Sequence, residues 1–242
     1  MKIASKTDTG LVRNSNQDSY AAGELMDGTA WAVVCDGMGG ANGGNVASAN
    51  AVKIISEYIS SSYHENMNSN SIKTLFQSAI SGANVRLYDM AHTIESLQGM
   101  GTTVVAVIVS GGMIHITHAG DSRAYLIRDN KLTQITKDHS MVQSMVDKGQ
   151  LTAEEAKNHP KRNVITRALG VTENIDFEYN ETEFYEGDKI LICTDGLTNY
   201  VSENDIECII SDNNFYEYPQ ALIDLANNRG GGDNITIVVL SD

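Results

Sequence analysis

Basic residues are scarce in this chain, which has 17 Lys and Arg against 31 Asp and Glu in 242 residues and a net charge of −14. Such a polyanion repels nucleic-acid phosphate and anionic lipid unless a local basic patch intervenes. The densest basic cluster, Lys161-Arg162 with Arg167, is too sparse for a nucleic-acid stripe and reads as solvated surface or as the neighbourhood of a phosphorylated ligand. Cysteine is also rare: Cys35, Cys193 and Cys208 are an odd number at spacings that exclude a disulfide framework or a zinc site. Cys35 and Cys193 lie in apolar runs and read as small buried hydrophobes. No apolar run approaches the ~18 residues of a membrane span, and the opening Met1-Lys2-Ile3-Ala4-Ser5-Lys6 lacks a signal-peptide core. These absences set the expectation of a cytoplasmic protein that engages neither nucleic acid nor membrane.

What is present is a set of four aspartates, each beside a glycine at the edge of an apolar run. They are Cys35-Asp36-Gly37, Ala119-Gly120-Asp121, Thr194-Asp195-Gly196 and Gly232-Asp233-Asn234. Carboxylates are hard oxygen donors suited to Mg2+ or Mn2+, whereas zinc or copper calls for clustered histidine or thiolate. Glycine beside each is expected to let the backbone turn sharply and bring its own carbonyl near an ion. Taken singly, an Asp-Gly pair is usually just a turn; four of them at strand ends point to a carboxylate metal site.

The 41% hydrophobic content supports one core, and a single domain over 1–242 is expected. The apolar run Ala30 to Cys35 reads as a buried strand that delivers Asp36 at its end. Val46 to Ile59 is helical in pattern, and Ile72, Leu75, Phe76, Ala79, Ile80, Ala83 and Leu87 follow three-four spacing, so two helices should cover one face of a sheet. Thr102 to Val109, Met113 to His118 and Arg123 to Ile127 read as strands, with Ser110-Gly111-Gly112 and Gly120-Asp121-Ser122 as tight turns between antiparallel neighbours. Residues 139–169 turn polar and helix-prone, broken at Pro160, and read as an inserted flap. Two further strands, Asp188 to Thr194 and Ile235 to Leu240, are separated by helical patterns from Glu203 to Ser211 and Pro219 to Asn228. The expected class is an α+β sandwich with helices packed outside the sheets.

The ordered motifs resemble the metal-dependent protein phosphatases of the 2C type, in their bacterial serine/threonine branch. They are Arg13 with Asn16-Gln17-Asp18, Asp36-Gly37-Met38-Gly39-Gly40, Gly101-Thr102-Thr103, Ala119 to Tyr125, Asn163 to Gly170, Thr194-Asp195-Gly196 and Gly232-Asp233-Asn234. That resemblance spans the chain. It implies two stacked antiparallel β-sheets flanked by helices, a four-layer α-β-β-α sandwich with metals between the sheet edges. It also implies that Asp36 bridges two Mn2+ or Mg2+ ions, the Gly37 carbonyl serves one of them, and Asp195 and Asp233 complete the other. Asp121 with Asp195 resembles the pair holding a third, weaker ion. Asp18 would orient water from behind the ions, and Arg13 resembles the family's phosphate-binding arginine.

The implied reaction is hydrolysis of phosphoserine and phosphothreonine on proteins by a metal-bridged water, in a monomer opposing a bacterial Ser/Thr kinase. Two nearby divalent ions can acidify a shared water and neutralise a transferring phosphoryl group, and a planar guanidinium can hold two phosphate oxygens at once. Two departures from the family pattern stand out. Met38 occupies the position where many relatives have a histidine proposed as general acid, and Gln17 replaces a frequent glutamate. The rival functions are a catalytically weak phosphoprotein-binding module and a phosphatase dedicated to an anti-sigma-factor antagonist. Gly39 to Gly44 lacks the lysine and spacing of a nucleotide loop. His115 and His118 should face opposite sides of a strand and serve structure. His139, at the flap entrance, is weighed between proton transfer and a hydrogen-bonding role in the loop.

Overall fold

A computed structural model describes residues 1–25 and 27–242. Two antiparallel sheets stack face to face. One contains β1 (Lys2–Asp8), β7 (Arg123–Arg128), β8 (Lys131–Gln134), β10 (Lys189–Cys193) and β11 (Ile235–Ser241), in the order β1-β11-β10-β7-β8. The other contains β2 (Asp18–Glu24), β3 (Ala30–Met38), β5 (Val104–Ser110), β6 (Met113–Ala119) and β9 (Glu178–Glu183), in the order β2-β3-β5-β6-β9. The two-residue β4 (Gly101–Thr102) pairs with the end of β3.

Helices α1 (Gly40–Ser62) and α2 (Ser69–Thr93) cover the second sheet. The short α5 (Asp195–Thr198) with α6 (Glu203–Asp212) and α7 (Tyr218–Asn228) covers the first. Between β8 and β9 the flap carries α3 (Met141–Asp147) and α4 (Ala153–Lys157), and α4 ends before Pro160. The four-layer sandwich expected from the motifs is therefore the fold.

Period-two alternation explains both the layers and the position of the site. On β3, Trp31, Val33 and Cys35 pack under α1 and α2, whereas Ala30, Ala32 and Val34 fill the space between the sheets. Ile190 and Ile192 of β10 and Val238 and Leu240 of β11 face the same inner layer. Continuing each alternation by one step past the apolar run brings Asp36, Thr194 and Thr236 onto that inner face. Asp18 joins them, because its register partner across β2 and β3 is Asp36. The site is the place where the inter-sheet core stops being apolar.

Three expectations need correction. Gly120-Asp121-Ser122 does not link antiparallel neighbours: β6 pairs with β5 and β9, β7 with β10 and β8, so this segment crosses between the sheets. Thr102 to Val109 is not one strand but is interrupted at Thr103, whose backbone N–H donates to the Asp36 carbonyl at 2.8 Å while its Oγ1 accepts from the Asp36 N–H at 2.9 Å. Third, β1, β2 and β9 were not expected. All three are edge strands of polar sequence, half solvated, with no apolar run to announce them.

Candidate metal centre

The glycines beside the aspartates serve close approach more than turning. A Cβ on Gly37 would lie 2.0 Å from the Gly44 carbonyl oxygen, and one on Gly196 would lie 1.9 Å from the Asn234 carbonyl oxygen. Neither glycine has a positive φ. Gly37 lets the first turn of α1 press against the end of β3, and Gly196 lets α5 press against the loop carrying Asp233. Gly120 differs: its φ of +116° is a conformation that L side chains rarely adopt, and its Cα packs on the Thr103 side chain.

Asp18 is the most constrained carboxylate. Its Oδ2 accepts from Thr194 Oγ1 at 2.9 Å and from Thr236 Oγ1 at 2.7 Å, and its backbone N–H donates to Asn16 Oδ1 at 3.0 Å. Its Oδ1 is buried with no hydrogen-bond partner. An acceptor left bare in a protein interior is costly unless a donor or cation completes it. Asp195 Oδ2 accepts from Asn199 Nδ2 at 3.0 Å.

Burial, then the mutual repulsion of these groups, raises their pKa values. Burial pushes Asp18 up to about 7, with Asp195 and Asp233 adding to the rise and the two threonine hydroxyls opposing it. Burial together with Asp195 and Asp138 puts Asp121 at about 7 as well. Asp36 is pushed well above the usual carboxylate range by burial and by Asp18, Asp195, Asp121 and Asp233, and Asp195 rises through burial and Asp233. Four carboxylates whose ionised forms are disfavoured by burial and by their acidic neighbours, one with a bare buried oxygen, fit hard divalent cations such as Mn2+ or Mg2+. The sequence-derived set Asp36, Gly37, Asp121, Asp195 and Asp233, backed by Asp18, is thus brought to one end of the sandwich.

Arg13 reaches the same place. Its Nη2 donates to Asp233 Oδ2 at 2.9 Å, and half of the side chain remains exposed. The loop that carries it is pinned, not free. Asn234 donates from Nδ2 to the carbonyls of Thr9 at 2.9 Å and Ser15 at 3.0 Å, its Oδ1 accepts from the Gln17 N–H at 2.8 Å, and Leu11 N–H donates to the Gly231 carbonyl at 2.7 Å. Gln17 points its Nε2 at the Gly40 carbonyl, 3.0 Å away.

Sequence reasoning missed the residues that hold the ligands in place: Thr103, Ser122, Thr194, Thr236 and Asn234. Threonine and serine carry no charge signature. All but Thr236 stand inside the quoted motifs, but nothing there gave them a role; the further signal for the hydroxyls was position, one alternation step beyond an inward-facing apolar residue.

A second cluster, His118, His139 and Glu178, brings three potential donor atoms within 4.8 Å of one another. Its hydrogen bonds do not suit a cation. Gly120 N–H donates to His139 Nδ1 at 3.2 Å, which places the ring proton on Nε2, 3.1 Å from Glu178 Oε1. The Arg167 guanidinium lies 3.0 Å from that same nitrogen. His139 therefore has the hydrogen-bonding role in the loop, and His115 and His118 face opposite sides of β6 as expected, His115 Nδ1 lying 3.0 Å from Tyr179 Oη and His118 Nε2 donating to the Lys137 carbonyl at 2.8 Å. Burial holds the Cys35 thiol far up and pushes Cys193 up to about 12, so neither is a nucleophile.

Comparison with known proteins agrees with this geometry. The protein phosphatase 2C family model matches residues 11–229. The chain is 36% identical to the serine/threonine phosphatase stp of Listeria welshimeri over 97% of its own length and 93% of that protein's. A serine/threonine phosphatase structure from S. agalactiae superposes with a TM-score of 0.92 at 34% identity, covering 100% of this chain and 99% of that one. The catalytic domain of the serine/threonine phosphatase PstP, in complex with two manganese ions, superposes with a TM-score of 0.84 at 34% identity over 98% of this chain and 96% of that one. Matched by that family model over residues 11–229 and by these relatives along nearly its whole length, the chain belongs to the protein phosphatase 2C family.

Proposed function

We propose that this metal-dependent serine/threonine phosphatase holds two divalent ions through Asp36, the Gly37 carbonyl, Asp195 and Asp233, and a third, weaker ion through Asp121 with Asp195. The observation that carries the assignment is the convergence of these carboxylates around the bare Asp18 Oδ1. When bound, the ions lower the pKa of water toward neutrality and neutralise charge on the phosphoryl group during transfer. Asp18, its Oδ2 locked by two threonine hydroxyls, offers only Oδ1 to accept a hydrogen bond from the attacking water and so orient it. Arg13, exposed and held by Asp233, can rotate its planar fork onto two phosphate oxygens. A cleft of about 740 Å³ between the flap and the body runs from Asp121 and Asp195 past Arg162 and Asn163, giving a phosphorylated segment room to lie beside the metals.

Substrates are proteins phosphorylated on serine or threonine. Their phosphate must be installed by a kinase acting on hydroxyl side chains, so a Ser/Thr kinase is the opposing activity. Net charge of −14 argues against nucleic acid as a partner, and among the described residues no helix is long and apolar enough to cross a membrane. We place the protein in the cytoplasm as a monomer.

The test is phosphate release from a phosphothreonine peptide by metal-stripped protein, with Mn2+ or Mg2+ added back and a chelator control. Asp36→Ala should abolish release while leaving the circular dichroism spectrum unchanged. Release that survives in this variant would remove Asp36 from the metal site.

A further inference from the structure

The root of the flap meets the metal-bearing crossover on one imidazole. His139 donates its backbone N–H to the Gly120 carbonyl at 2.8 Å, and its Nδ1 accepts from the Gly120 N–H at 3.2 Å, so one residue engages both sides of Gly120. Gly120 is the residue before Asp121. It packs on Thr103, whose Oγ1 in turn accepts from the Asp36 N–H and pairs with Ser122 Oγ at 2.7 Å.

The returning limb of the flap reaches the same ring. Thr166 N–H donates to the His139 carbonyl at 2.8 Å, and Arg167 spans His139, Glu178 and Asp176, the last at 2.9 Å. His139 is buried, and its ring stacks on His118 with centroids 4.6 Å apart and planes 8° from parallel. Stacking on one side and Glu178 at Nε2 leave the ring a single orientation, with Nδ1 toward Gly120.

We propose that His139 is a positioning residue that couples the placement of the flap to the placement of Asp121, and so sets the affinity of the third, weaker metal site. The inference rests on the reading above that Asp121 holds that ion. His139 touches neither ion nor substrate. It acts through the Gly120 peptide, whose buried N–H loses its acceptor if Nδ1 is removed.

Two substitutions divide the ring's functions. Asparagine places Oδ1 where histidine carries Nδ1 and keeps the acceptor for Gly120; glutamine reaches the position of Nε2 and keeps only the link to Glu178. The experiment is Mn2+ binding to the metal-stripped full chain, followed by titration calorimetry, for wild type, His139→Asn, His139→Gln and Asp121→Asn. Asp121→Asn and His139→Gln are expected to weaken only the low-affinity phase, the latter about tenfold, while His139→Asn stays within about twofold of wild type.

A low-affinity phase lost in Asp121→Asn but unchanged in His139→Gln overturns the positioning role alone. A phase unchanged in Asp121→Asn overturns the ligand reading, and the inference falls with it. Should His139→Gln fail to fold, Glu178→Met replaces it, since it removes the acceptor for the ring proton. That variant is expected to speed amide hydrogen exchange at residues 164–168 and to weaken the same phase several-fold; exchange and binding both equal to wild type overturn the proposal.

Discussion

Replacing Asp18 by asparagine should stabilise the metal-free protein, and only above mildly acidic pH. Asp18 is 8% exposed, and burial lifts its pKa from an ordinary 3.8 to about 7. Below about pH 4 the group is protonated in both the folded and the unfolded chain and contributes no pH dependence. Between about pH 4 and pH 7 the unfolded chain has released the proton while the folded chain keeps it, so stability falls as pH rises. Above about pH 7 the full cost remains, and a rise from 3.8 to about 7 corresponds to about 4 kcal/mol.

Asparagine keeps an oxygen for the Thr194 and Thr236 hydroxyls but never ionises. Urea unfolding with chelator present should therefore give nearly equal stabilities for wild type and Asp18→Asn at about pH 3.5. At about pH 7.5 the variant should be more stable by several kcal/mol. Self-repulsion of the acidic surface also grows with pH, but it is common to both proteins and cancels in the difference. Adding Mn2+ at the higher pH should stabilise wild type, because the ions bind the folded state. A difference between the two proteins that stays constant across the pH range would refute the reasoning.

Two further substitutions test the local geometry. Gly196→Ala puts a methyl where the Asn234 carbonyl stands, 1.9 Å away, and two backbones must part; a loss of about 2 kcal/mol or more in urea unfolding is expected, with weakened Mn2+ binding as Asp195 and Asp233 separate. Arg13→Lys keeps the charge but loses the two-pronged grip on phosphate, so KM for a phosphothreonine peptide should rise about tenfold in steady-state assays. Its stability should stay within about 0.5 kcal/mol, since the residue is half exposed; an unchanged KM would remove Arg13 from phosphate binding.

Much of the molecule was legible from its residues. The central strands and the covering helices announce themselves through apolar runs and three-four spacing, because elements buried on one or both faces must be apolar there. The edge strands β1, β2 and β9 were not legible, because an edge is half solvated and its polar residues resemble a loop. Nor could the sequence show that Gly120-Asp121-Ser122 crosses between sheets, since a short glycine-containing link serves a hairpin equally well. The carboxylates of the site were named by their motifs, and carboxylate chemistry alone selected hard divalent cations.

By itself, then, the sequence marked the candidate carboxylates and the hard divalent metals that suit them. Tertiary structure decided how they are held. Asp18 and Asp36 meet through strand register, and Thr194 and Thr236 leave one Asp18 oxygen bare. Asn234 ties down the Arg13 loop across more than 200 residues of chain, and His139 joins the flap to Gly120. Those relations depend on which distant backbones come into contact, and a hydroxyl or an amide in the sequence carries no mark of the partner it will find.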